Sequence, residues 1–167
     1  MGVRLTTDMV KQLDLCKNFG DVFEIVKKTV EHSLGQRRSG LMLYLAELPE
    51  QIGAFHGVGT NGIVMNKTAL DAVTRSARTI REINSYVYSI LLHEYLHSLG
   101  YIDEAQVRRL VFEISKDNLG ADHPATDIAH KGPAVIFPGV GEPSFKEHSE
   151  NVELITDFDR STDSYIK

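Results

Sequence analysis

The chain has a single cysteine, Cys16, so it cannot close an internal disulfide, and a reducing cytoplasmic interior is its expected home. It has no apolar run near the roughly 20 residues that span a bilayer, which argues against a membrane protein. The N-terminus, MGVRLTTDMV, lacks both the basic start and the apolar stretch of a secretory signal. Gly2 and Thr6 fit a short myristoylation pattern, but helix entry at Thr6 or Thr7 explains the same residues. There is no internal repeat and no low-complexity tract. The glycines of GVGTNG (57–62) are not followed by Gly-Lys-Ser/Thr, so they read as a turn between strands rather than a phosphate loop. Basic residues are the minority, 18 against 23 acidic, and the net charge of −5 argues against a broad nucleic-acid surface. Most of that charge sits at one end: residues 142–167 hold seven acids and three bases, −4 of the −5.

What is present is ordinary globular material. The 167 residues, 42% apolar and 25% charged, suit one domain with a real core. Helical spacing of apolar residues predicts a short helix over Thr7–Asn18 and a better one over Asp21–Ser33, ended by Gly35. LMLYLAEL (41–48) has the density and length of a buried strand, and GIVMN (62–66) reads as a second. Helices are expected over Thr68–Arg75, over Ile80–Leu99 with Gly100 as its stop, and over Asp103–Asn118 with Asp103 as N-cap. Beyond these, DHPATDIAHKGP suits a short helix, PAVIFPG an extended stretch and Val152–Thr156 a strand. The expected fold is α/β or α+β, helices packed on a small mixed sheet. The expected division is a body over 1–141 and an acidic C-terminal tail over 142–167, either solvated and disordered or an inhibitory or docking segment.

The chemistry concentrates in LLHEYLHSLGYIDE (91–104). Residues four apart on a helix lie one turn apart on the same face, so His93 and His97 can present two imidazoles to one ion. Glu94 flanks that face and is placed to take a proton from a water the ion has acidified. The competing reading makes both histidines partly buried polar residues satisfied by backbone or by Glu94, which is costly for so many polar groups on one core-facing stripe.

Catalytic zinc normally has three protein ligands and an open position. Asp103 leads for the third, because Gly100 lets the chain reverse and bring it back toward the histidines, although its role as N-cap, with Gln106 completing a capping box, competes. Glu113 (with Asp117 in an ExxxD pair), His123 and Glu104 are the other candidates. His56, in the glycine-rich AFHGVGTNG, is a minor candidate for lining a site, while His32, His130 and His148 have no supporting pattern. Cys16, on an apolar helix side, reads as core.

HEYLH resembles the signature of the zincin metallopeptidases, and HEYLHSLGYID resembles the metzincin pattern with aspartate in place of the third histidine, as in snapalysin-type enzymes. No methionine follows Met65, so the metzincin methionine turn is missing. LHSLGY (96–101) also resembles the YbeY-type endoribonucleases, in whose pattern His93, His97 and Asp103 fall on the metal positions, but Glu94 stands where that family has glycine. The run from His93 to Ile114, with DHPAT and Gly132-Pro133 after it, is similar to small archaeal zincin-like proteins.

These resemblances imply a zinc-dependent peptidase acting on a peptide or protein, with Zn2+ on His93, His97 and Asp103 and Glu94 as general base. They also imply a helix under a twisted sheet whose edge strand aligns extended substrate, GIVMN being the candidate strand. A metal-dependent nuclease and a zinc-binding regulatory protein without turnover are the alternative expectations.

Overall fold

The computed structural model of the chain describes residues 2–49, 52–57, 59–138, 140 and 152–159. Over these it is a mixed α/β fold of six α-helices and one small four-stranded sheet. In chain order the elements are α1 (Gly2–Asp14), α2 (Phe19–Leu34), β1 (Met42–Ala46), β2 (Ala54–His56) and β3 (Gly62–Asn66). Then come α3 (Lys67–Ser76), α4 (Ile80–Ser98), α5 (Glu104–Leu119), α6 (Pro124–Lys131), a single 3-10 turn at Pro133–Val135, and β4 (Val152–Ile155). None of the described helices is long and apolar enough to cross a membrane.

Local chemistry sets most boundaries. Asn18, expected inside the first helix, instead caps α2, its side chain accepting from the Asp21 N–H, and Gly35 closes that helix at φ 66°. Thr79 caps α4 through the Glu82 N–H, and Gly100 follows its end at φ 106°, a conformation open to glycine and strained for other residues. PAVIFPG, expected to be extended, opens with the 3-10 turn and drives Phe137 into the core.

The sheet order is β2-β3-β1-β4, with β1 and β3 parallel and both outer strands antiparallel to their neighbours. Leu43, Leu45, Ile63 and Met65 point to the helices and are buried, while Met42, Phe55, Val152 and Leu154 are exposed. Each buried side chain of that size contributes about 1.5–3 kcal/mol relative to exposure. Along α4, Leu91, Leu92, Tyr95 and Leu96 are fully buried, and Phe23 of α2 meets the Tyr95 ring edge-on at 5.4 Å.

Two expectations are corrected. GIVMN is a strand but not the edge: β2 pairs along it, Ala54 opposite Met65 and His56 opposite Ile63, and takes the outer position. The boundary at 141 also fails for residues 152–159. β4 pairs with β1, Phe158 stacks on Phe23 at 4.3 Å, and Asp159 receives Lys27 Nζ at 2.7 Å and the N–H groups of Gly40 and Leu41. The rest of the expected tail, with His148, lies outside the described residues.

Asn66 ties this frame together. Its buried amide donates to the carbonyls of Leu48, Pro49 and Ile52, and its oxygen accepts from the N–H groups of Leu48 and Thr68. One side chain thus ends β3, starts α3 and pins the segment leading to β2. Gly53 completes the fit, since a Cβ there would meet Ile90 Cδ1 of α4 at 2.8 Å. β2 therefore runs close against α4.

Candidate metal centre

The last turns of α4 bury Leu92, Tyr95 and Leu96 and leave His93 and His97 on the flank, part exposed. Their rings stand 5.0 Å apart between centroids. The turn after Gly100 is clamped from two sides: the His97 ring lies 2.7 Å, by Nδ1, from the Tyr101 carbonyl, and the Tyr101 hydroxyl donates to Gln36 at 2.8 Å. A carbonyl only accepts, so His97 Nδ1 carries the proton and Nε2 faces outward.

What Nε2 faces is Glu104, the first residue of α5. Its two carboxylate oxygens lie 2.6 Å from His97 Nε2 and 3.2 Å from His93 Nε2. With Nδ1 protonated, a neutral His97 directs a bare lone pair at the carboxylate, an arrangement that needs a proton or a cation between them. One ligand atom from each of His93, His97 and Glu104 falls within 4.8 Å of the other two. Burial also holds the His93 ring below its usual pKa, against the opposing pull of Glu104, and so favours the neutral form that ligates metals. Two imidazoles and a carboxylate are a donor set of catalytic zinc sites. The residues fit such an ion.

Asp103, expected as third ligand, is not in this cluster. Its carboxylate accepts from the Ala105 N–H as the cap of α5, and it is Glu104 that turns back to the histidines. Glu113 lies exposed on α5, outside the cluster. His123 caps α6 and is buried elsewhere, under the influence of Arg81, Asp14 and Asp127. The capping box at Asp103 was the available signal for this exchange.

Glu94 is the buried carboxylate of the site, 6% exposed. Burial pushes its pKa up to about 7; the charge of His97 and a hydrogen bond from the His56 backbone N–H oppose that rise. His56, a minor candidate from sequence, therefore matters through its main chain in β2. Its ring is fixed by Nε2 against the Thr60 carbonyl at 2.9 Å.

Two clefts meet here, sharing Gly53, Ala54, His93, Glu94 and Glu104 as walls. One, of about 580 Å³, continues past β2 with Ile52, Phe55, Ile102 and Arg38. The other, of about 540 Å³, continues between α5 and α6 with Arg108, His130 and Lys131. Comparison of the chain with protein-family models, with curated proteins and with solved structures found no match.

Proposed function

We propose that this chain is a zinc-dependent metallopeptidase of zincin type, with His93, His97 and Glu104 as metal ligands and Glu94 as general base. The observation that carries the proposal is the convergence of three ligand atoms at the junction of two clefts, beside a carboxylate that β2 holds in place. A bound zinc ion supplies Lewis acidity, polarising the scissile carbonyl and lowering the pKa of the attacking water.

The protein's own groups do the rest. Glu94 takes one proton from the attacking water as its oxygen bonds to the carbonyl carbon, then delivers that proton to the departing amine as the C–N bond breaks. A base working near neutrality suits this two-way role, and burial is the device that supplies it. β2, Ala54–His56, is one of the two outer strands of the described sheet and lines the clefts, so an extended peptide can add along it through main-chain hydrogen bonds. β2 takes the substrate-aligning role that the sequence pattern gave to GIVMN.

The test is hydrolysis of a mixed peptide library by zinc-loaded protein, read by mass spectrometry, beside Glu94→Gln. Cleavage that is lost with a chelator, restored by zinc and absent in Glu94→Gln is the expected result. Full cleavage by Glu94→Gln would contradict the mechanism.

A further inference from the structure

The two halves of the cleft differ in chemistry. Past β2 the cleft exposes three apolar side chains: Ile52, Phe55 and Ile102 are 39%, 45% and 70% exposed. The cation there, Arg38, is already engaged, bonding the carbonyls of Ser98 at 2.6 Å and Thr60 at 3.3 Å and the Asn61 side chain at 3.0 Å. Toward α6 the lining holds Arg108, one turn after Glu104 on α5, and His130 and Lys131 at the end of α6. No carboxylate among the described residues forms an ion pair with Arg108 or Lys131. Two unpaired cations thus line a cleft of about 540 Å³, within the usual range of about 300–1,000 Å³ for ligand sites.

We propose that the cleft between α5 and α6 is a subsite for a substrate carboxylate, held by Arg108 and Lys131, on one side of the bond that is cut. The proposal rests on the peptidase reading and adds to it the substrate class: peptides carrying an acidic group beyond the metal centre, with an apolar residue on the β2 side. The carboxylate has two sources, an Asp or Glu side chain or the C-terminus of the peptide itself. A planar guanidinium suits either as a two-point partner. A phosphodiester chain would also meet the cations, but half of the groove sets Ile52, Phe55, Ile102, a saturated arginine and the carboxylates of Glu94 and Glu104 against it, and the chain as a whole is acidic.

The experiment uses the full-length Glu94→Gln protein with zinc, which holds peptides uncut, and fluorescence anisotropy with labelled peptides. Three peptides share one sequence with an apolar residue at the centre: one with a nearby Glu and an amidated end, one with Gln and a free C-terminus, one with Gln and an amide. Either carboxylate peptide should bind at least about tenfold tighter than the neutral one, the worth of a charge-assisted hydrogen bond. Which of the two shows the gain identifies the source. Adding Arg108→Gln and Lys131→Gln, both on exposed positions, should bring the ratio to about one.

Equal binding of all three peptides, or a preference that survives both substitutions, would overturn the subsite. So would a single-stranded RNA oligomer that binds tighter than every peptide and is cut by the Glu94 protein. Cleavage of the same peptides by the Glu94 protein separates the two claims. If no peptide is cut but the carboxylate preference stands, the peptidase reading fails and the subsite survives.

Discussion

Two of the charged clusters among the described residues are built on different principles. Around Asp159 the groups answer one another: Lys27 Nζ approaches one carboxylate oxygen at 2.7 Å, and the N–H groups of Gly40 and Leu41 approach the other at 2.8 and 3.2 Å. Around His97 the ring Nε2 and a Glu104 carboxylate oxygen stand 2.6 Å apart, with a second imidazole and a buried carboxylate alongside. The first cluster pairs its charges with groups of the protein itself, Glu24 joining Lys27 at 2.8 Å, and fastens β4 to the body. The second needs a proton or a cation between its imidazole and its carboxylate, and two clefts open onto it.

Substitutions should separate the two accordingly. Lys27→Met removes the cation from a buried pair and should cost about 3–5 kcal/mol of stability in urea unfolding, while the protein that remains folded keeps its zinc. If Lys27→Met unfolds like the parent chain, the contrast collapses. Glu94→Gln should lower the turnover of peptide by about 10²–10⁴-fold, the usual contribution of a general base, without lowering the unfolding midpoint. Loss of stability in place of activity would move Glu94 into the structural class.

His123 offers a third comparison, a buried histidine that serves as a helix cap. Burial, with the charge of Arg81 adding to it, lowers its pKa from 6.5 to about 4, so the unfolded chain binds the proton more tightly than the folded one. Stability should therefore be complete above pH 6.5 and fall as the pH drops toward 4, by up to about 3 kcal/mol from this group. His123→Asn keeps a capping side chain and removes the titration. Above pH 6.5 the difference between the two should be constant, and as the pH falls toward 4 the parent should lose stability relative to His123→Asn. A difference independent of pH would show that His123 acts through packing alone. The smallest effect belongs to Asp103→Ala, which should cost about 1 kcal/mol as a lost helix cap and leave zinc in place.

Signals confined to neighbouring residues were legible in the sequence. The span of α4, the stop at Gly100, and the placing of His93 and His97 on one face follow from helical spacing and caps. GIVMN was legible as a strand, yet its place in the sheet depended on β2, whose three residues are too few for an alternation to show. The strand at Val152 was legible too, but its anchor was not, because Lys27 and Asp159 meet across 132 residues. The choice between Asp103 and Glu104 turned on where the first turn of α5 begins. A capping aspartate spends its carboxylate on the helix N-terminus, and the next residue is then free to face the histidines.

The most direct test is the zinc content of purified protein, measured by mass spectrometry on the parent chain, His97→Ala, Glu104→Ala and Asp103→Ala. One zinc per chain in the parent and in Asp103→Ala, with loss in His97→Ala and Glu104→Ala, is the predicted pattern. Zinc retained by Glu104→Ala and lost from Asp103→Ala would contradict the site.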